Sequence, residues 1–327
     1  MPTQERAGQY RVCAGYSSKP FSLSYPLKIR ISQHMTSLAE TLQFGVRIKR
    51  QLMLYPTSTH NHTRPVSNMS PDDSNHRFFP FSECMNFRHM GGYPTEDGRT
   101  TRADRLYRSC IFELNEPADR ERFESLGITT VFDFRVPDER ERRPLTLEVT
   151  SPPEIVELDI AAGNMGSYLR ELKGEHPPAG AIKVRMTSWY EEMADTAMPQ
   201  YQNLFQVLAE NEGASMVLCN TGKDRSGMAA GLILAALGVS DQTIMEDFLL
   251  SAWAYRDVES ARKRYLGGHP IGGDTAYLSE VFTVYPEYID AFRAKAEAKA
   301  GSFSAYLEEH LGLDNAALKN LRARLTE

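Results

Sequence analysis

From about Ser82 onward, short apolar runs alternate with stretches whose apolar residues recur every three or four positions. Gly127-Ile-Thr-Thr-Val-Phe-Asp-Phe134 is a β-branched and aromatic run, which predicts a buried strand. Before it, Ala118 to Leu126 is charged on one face and apolar at Phe123 and Leu126, a helix that Gly127 stops. Ile155 to Ile160 follows a Pro-Pro break and reads as another strand, while Ala161 to Ala181, with its Gly and Pro residues, reads as loop or short helix. Trp189 to Glu212 carries apolar residues at helical spacing and predicts one or two helices interrupted near Pro199. Ala214 to Leu218 is a strand running into Cys219, and Gly227 to Leu237 is a helix of small and apolar residues that Gly238 ends. Asp241 to Ser251, Pro286 to Ala300, Phe303 to Leu311 and Asn315 to Leu325 all have helical periodicity. The alternation predicts an α/β domain, a mostly parallel sheet flanked by helices with a helical C-terminal part.

The first 68 residues do not share this pattern. They hold 9 Lys and Arg against 2 acids, Glu5 and Glu40, whereas the remaining 259 hold 28 against 41. A Ser-rich, Arg-rich, acid-poor segment of this kind reads as an organelle transit peptide, or as sequence upstream of a true start at Met69, or as a basic interaction arm. The expected organisation is therefore a poorly structured basic segment, 1–68, and a catalytic domain, 69–327. The cytoplasm is the expected compartment, with organelle import or secretion as alternatives that the segment leaves open. The acidic remainder argues against nucleic-acid binding, because no cluster of Lys and Arg is there to neutralise a run of phosphates. The longest nearly uncharged apolar run, Gly227 to Val239, has 13 residues, and a membrane span needs about 20. Four Cys, at 13, 84, 110 and 219, show neither CxxC spacing nor the density of a disulfide scaffold.

The chemistry is concentrated in Val217-Leu-Cys-Asn-Thr-Gly-Lys-Asp-Arg-Ser-Gly227. A Cys and an Arg six positions apart, between a strand and a helix, build a phosphate cradle. The intervening Asn220, Thr221, Gly222, Lys223 and Asp224 can curl so that backbone N–H groups point at one anion, with the positive end of the following helix behind them. Arg225 supplies a planar fork to phosphate oxygens that Lys cannot replace. The same field, with the Ser226 hydroxyl, favours the nucleophilic thiolate of Cys219. The site would then hold a nucleophile without a metal or any other cofactor.

This loop resembles the signature of the protein tyrosine phosphatases. Its Gly-Lys-Asp-Arg core is similar to the atypical tyrosine phosphatases of bacteria and fungi that also act on phosphoinositides. Asn86-Phe-Arg-His-Met-Gly-Gly-Tyr93 resembles the family's Asn-Phe-Arg-Asp-Leu-Gly-Gly-Tyr opening, and Asp97-Gly-Arg99 with Leu106-Tyr-Arg-Ser109 resembles its next strand. Gly127 to Arg135, with Glu139 beyond it, Met245 to Ser251, and Gly301 to Arg324 extend the likeness over nearly all of residues 83 to 327. The resemblance implies that Cys219 attacks phosphorus to give a phosphocysteine, that Arg225 holds the transferring group, and that Asp224 is the general acid. The last role requires a protonated carboxyl, which the neighbouring cations Lys223 and Arg225 oppose. Asp133 is the alternative acid, with an ion pair to Arg135 as its competing role. Lys223 reads either as a solvated loop residue or as a second cation for polyanionic head groups.

Two departures stand out. Leu218 occupies the position before the nucleophile where the family usually has His, which predicts a slower enzyme and motivates a second reading as a phosphate-binding pseudophosphatase. His89 replaces an Asp and reads as a structural substitution. A thiol-based arsenate reductase or sulfurtransferase is a third reading, and would need a second resolving Cys or a sulfur donor. Arg256 to Arg264 is a charged helical stretch followed by two Gly pairs, so 254–285 is expected either as a lid or wall over the site or as plain surface structure. The expected substrates are phosphorylated proteins, with phosphotyrosine foremost and phosphoserine, phosphothreonine or phosphoinositides as additional classes.

Overall fold

The structure, a computed structural model, describes residues 76–171, 177–265 and 276–327. The basic segment 1–68 and the pairs Gly267-Gly268 and Gly272-Gly273 lie outside the described residues. In chain order the elements begin with strand β1 (Arg88–His89), strand β2 (Leu106–Cys110), helix α1 (Pro117–Ser125), strand β3 (Ile128–Asp133), helix α2 (Pro137–Arg142) and strand β4 (Glu154–Glu157). Helices α3 (Met165–Glu171), α4 (Ala181–Thr196) and α5 (Met198–Glu210) lead to strand β5 (Ala214–Cys219). Helices α6 (Arg225–Ala236), α7 (Asp241–Ala254), α8 (Val258–Tyr265), α9 (Ala276–Phe282) and α10 (Pro286–Ala300) follow. Helix α11 (Phe303–Ala305) runs into a π-helical turn (Tyr306–His310), and α12 (Asn315–Leu325) closes the chain.

The five strands form one sheet in the order β1-β2-β5-β3-β4. Only the β1–β2 pairing is antiparallel; β2–β5, β5–β3 and β3–β4 are parallel. Parallel strands need both faces covered, and β2, β3 and β5 are buried at nearly every position. Side chains of β5 alternate between two cores. Val217 and Cys219 join the larger one with α4, α5, α6 and α10 residues, whereas Met216 and Leu218 join a smaller one with Phe87, Phe112 and Val131.

Most expected elements are present, with shifted ends. The Trp189–Glu212 stretch is indeed two helices, broken at Ala197 with Pro199 in the first turn of the second. The first of them, however, begins eight residues before Trp189. Gly180 at φ +78° opens it, and charged residues in its first turns blur the periodicity. The expected strand Ile155–Ile160 is shorter, Glu154–Glu157, and beyond it only single backbone bonds continue, from Leu158 N–H to Asp133 O (2.9 Å) and Ile160 N–H to Phe134 O (3.4 Å). Phe303 to Leu311 keeps its helical character but widens into the π-turn. Among the described residues, no helix is long and apolar enough to cross a membrane.

The position of Leu218 bears on function. Its side chain is wholly buried in the smaller core, on the sheet face opposite Cys219. A polar ring placed there would lose water without gaining a partner. Leu218→His is therefore expected to lower stability by about 1–3 kcal/mol, read as a lower urea midpoint with an unchanged m-value.

Candidate active site

Ligand crevices in parallel sheets lie at the carboxyl ends of the strands. Cys219 ends β5 there, and the loop 220–224 connects it to the N-terminus of α6. The loop is held from outside through its carbonyls. Ile111 N–H donates to Asn220 O (3.2 Å), and Asn86 Nδ2 donates to Thr221 O (3.2 Å) and Gly222 O (2.9 Å). Arg108 Nη2 reaches Gly222 O (3.1 Å) and Lys223 O (3.4 Å), and the Tyr255 hydroxyl donates to Thr221 O. A trans peptide points its C=O and the next residue's N–H in opposite directions, so outward carbonyls at 220–223 turn the N–H groups of residues 221–224 to the inner side. Gly222 makes this close approach possible. Its φ is +68°, and a Cβ there would sit 2.5 Å from the Cys110 backbone nitrogen.

The clamp is itself anchored by buried charge. Asp247 on α7 accepts from Arg108 Nη1 (2.5 Å), Arg88 Nε (3.2 Å) and the Tyr93 hydroxyl (2.9 Å). Arg88 also donates to Asn86 Oδ1, and to Ser251 Oγ at 3.2 Å. Burial alone would raise the Asp247 carboxyl, but the two guanidinium groups outweigh it and hold the group well below the usual carboxylate range. Arg88 is pushed down to about 10, by burial first and then by the neighbouring Arg108.

On the inner side, Cys219 is 1% exposed, and its Sγ lies 3.4 Å from Ser226 Oγ. The Arg225 guanidinium has three edges, two of them partnered. Nη1 and Nη2 grip the Glu139 carboxylate at 2.5 and 2.8 Å, and Nη1 also donates to Phe134 O (3.2 Å) and Ile160 O (3.3 Å). Nε is buried and has no partner among the described residues. Arg carries five donors in a fixed plane, so the Nε–Nη2 edge is the fork left to receive two oxygens. Glu139, on α2, would be raised by burial, but Arg225 draws it below the ordinary value.

Lys223 and Asp224 are 2% and 4% exposed. Lys223 Nζ binds both Asp224 oxygens (2.9 and 2.8 Å), and the Tyr190 hydroxyl of α4 donates to Asp224 Oδ1 (3.0 Å). Lys223 is thus not a solvated loop residue. Glu139, Asn220, Thr221, Lys223, Asp224 and Arg225 line one narrow pocket. Gly163, Met165, Gly166, Tyr265, Val281 and Phe282 form its walls. The last three belong to the 254–285 segment, which therefore supplies a wall. Asp133 is not in this pocket. Its carboxylate is taken up by Arg135, at 3.0 and 3.1 Å to Nε and 2.7 Å to Nη2, with both residues buried. His89 is half-buried on β1, and its Nδ1 accepts from Gly91 N–H (3.1 Å), a structural role.

Sequence reasoning placed the loop residues together but assigned no task to Asn86, Arg88, Arg108, Asp247, Tyr190 or Tyr255. The available signal was polar residues within otherwise apolar blocks, at Asn86, Arg88 and Arg108 around β1 and β2 and at Asp247 inside α7.

Sheet, loop and pocket together define a phosphatase, a hydrolase of phosphate esters. The chain belongs to the tyrosine phosphatase family, whose model matches residues 79–327. It is 30% identical over 244 residues to a Cupriavidus necator protein provisionally named a tyrosine-protein phosphatase, spanning 73% of this chain and 86% of that one. The triple specificity protein phosphatase PtpB of Mycobacterium tuberculosis is 27% identical over 272 residues, 74% of this chain and 96% of the relative. Among solved structures, P. aeruginosa TpbA overlaps 56% of this chain and 89% of its own, with 16% identity and a TM-score of 0.30.

Two outcomes are expected of the supporting residues. Asp247→Asn leaves Arg88 and Arg108 without their shared counter-ion, and should cost about 3–5 kcal/mol in denaturant unfolding. Glu139→Gln should lower kcat/KM by about 10²-fold while the protein stays folded, because the Arg225 fork loses its alignment. Glu139's folded-state pKa is depressed, so its stabilisation is complete above about 4.3 and fades as pH falls through the lower folded value. The wild type should therefore lose more stability between about pH 5 and 3 than Glu139→Gln does.

Proposed function

We propose that this phosphatase acts through Cys219, on phosphotyrosine-type monoesters, as a Cys-x5-Arg enzyme of the Gly-Lys-Asp-Arg type. The observation that carries the reading is the open Nε–Nη2 edge of Arg225, poised at the loop that begins at Cys219 while its other donors are occupied. A phosphoryl group seated among the inward N–H groups of residues 221–224 accepts this fork. The Cys219 sulfur then attacks phosphorus in line as the bond to the leaving oxygen breaks. Ser226 Oγ, 3.4 Å from the sulfur, stabilises the thiolate. Asp224 lines the pocket; as the phosphoryl group draws the Lys223 ammonium off its carboxylate, Asp224 takes up a solvent proton and gives it to the leaving oxygen, while the Tyr190 hydroxyl fixes where the carboxyl points. Water attacks the phosphocysteine, the sulfur leaves phosphorus, and Asp224 takes the water's proton. Asp133 has no part in this, since Arg135 occupies it.

The pseudophosphatase alternative rested on Leu218. With that side chain in the opposite core, its identity removes no group from the loop's inner surface. Phosphoserine, phosphothreonine and phosphoinositides are proposed as further substrates, because Lys223 places a second cation in the pocket. The triple specificity in the mycobacterial relative's name is consistent with such breadth.

The test is p-nitrophenyl phosphate hydrolysis across pH 5 to 8 in EDTA, comparing the chain with Cys219→Ser. Activity that survives chelation and is lost by at least about 10⁴-fold in the variant is expected. Activity retained in Cys219→Ser, or lost on chelation, would overturn the mechanism.

A further inference from the structure

Cys84 and Cys110 are absent from the mechanism above, yet their sulfurs lie 2.8 Å apart. Cys84 Sγ is also 3.3 Å from Ser109 Oγ. Both thiols are free. They sit directly behind the phosphate loop. Cys84 lies two residues before Asn86, which holds Thr221 and Gly222, while Cys110 ends β2 in register with Cys219 and abuts Gly222.

From these contacts we infer that Cys84 and Cys110 form a second reactive site, a dithiol that peroxides convert to a disulfide independently of the nucleophile Cys219. Access is from the Cys84 side. Cys84 is half-buried and opens onto a surface cleft of about 310 Å³ that Phe78, Phe79, Met85, Trp253 and Arg256 help to line. Cys110 is fully buried, so it is reached only through its partner's motion or its partner's sulfur. Burial would raise the Cys110 thiol, but the Cys84 thiol and the N–H groups of Asn86 and Met85 bring it down to about 6, while Cys84, buried against the same partner, goes up. Cys110 is thus the more readily ionised sulfur of the pair, and the thiolate is the form that reacts with peroxide.

The reaction balances without another reductant or metal. The thiolate sulfur attacks one peroxide oxygen, breaking the O–O bond and giving a sulfenic acid and hydroxide. The second sulfur attacks the sulfenic sulfur; the S–O bond breaks, the S–S bond forms, and the departing hydroxide takes the remaining thiol proton. With hydrogen peroxide the products are one disulfide, one water and the hydroxide of the first step, which takes a proton from solvent to become the second water. An S–S bond of about 2.05 Å requires the two sulfurs, 2.8 Å apart, to close by less than about 1 Å. The bond ties the Asn86 segment to β2, the two elements whose side chains brace residues 221–223. Tyr265, a wall of the phosphate pocket, faces the same sulfur pair from α8, so oxidation is felt at the pocket's edge as well.

The experiment treats the full-length Cys219→Ser chain with hydrogen peroxide, so that its outcome does not depend on catalysis. With Cys219 removed three cysteines remain of the four, and titratable thiols should fall from three to one and recover with dithiothreitol. Mass mapping of a non-reducing digest should find the Cys84 and Cys110 peptides joined, with the pair lighter by two hydrogens. In Cys110→Ser, the accessible Cys84 should stop at a dimedone-trapped sulfenic acid or go on to sulfinic acid. If that variant does not fold, the thiol count and digest of the Cys219→Ser chain still decide. The inference is overturned if Cys84 and Cys110 remain free after treatment, or if either is joined to Cys13. It is equally overturned if in the wild-type chain Cys110 is joined to Cys219, which would make it a resolving thiol for the nucleophile.

Discussion

Everything at this site depends on which way four carbonyls point. Residues 220–223 could satisfy their backbone in many conformations. Asn86, Arg108, Tyr255 and the Ile111 amide take the carbonyls on the outside, leaving the N–H groups to converge on the inside. An anion-binding nest is normally a property of a short loop. In this protein the carbonyls of the proposed nest are held from behind by β2, by Tyr255 at the end of α7 and by the segment before β1. The imposed geometry in turn requires a buried cluster of two arginines on one aspartate, with Tyr93 completing the aspartate's shell. Clusters of this kind add little net stability compared with apolar packing. What this one contributes is a fixed position for the Arg108 fork, and through it a fixed orientation for Gly222 and Lys223.

The inner half of the site follows the same logic of divided donors. Arg225 serves Glu139 and two backbone carbonyls with one side of its plane and faces the cradle with the other. A guanidinium free to rotate would lose that alignment, and the carboxylate on α2 prevents the rotation. Asp224 is held from two sides, by the ammonium of its chain neighbour and by a phenol from α4. Both functional side chains therefore depend on elements distant in sequence, 86 residues in the case of Arg225 and Glu139.

How far the sequence reveals this differs by level. The sheet and most helices are legible because buried parallel strands write themselves as β-branched runs, and because Gly127, Gly238 and Gly301 punctuate them, each at positive φ. The start of α4 is not, since its first turns alternate charged with apolar residues and its opening glycine resembles a loop. The loop from Cys219 to Arg225 is legible as a spacing, since its chemistry is local. The clamp is illegible without the fold, as Asn86, Arg108 and Asp247 meet only through strand pairing and helix packing. Lys223 reads two ways in the sequence because spacing does not say which side of a loop is buried. The same limit hid the Cys84–Cys110 contact: residues 26 apart come together only when the chain before β1 lies against the end of β2.

The pocket's walls are built differently from its floor. The floor rests on strands and on α6, whose residues are almost all buried. Helix α3, which contributes Met165 and Gly166, has no buried residue, and α8, which contributes Tyr265, contains only Ala261 as one. Substitutions along these helices change what enters without disturbing the packing that keeps the chain folded. Recognition and reactivity thus have separate structural supports, and relatives sharing this floor are free to diverge in the molecules they select while keeping one way of breaking the bond.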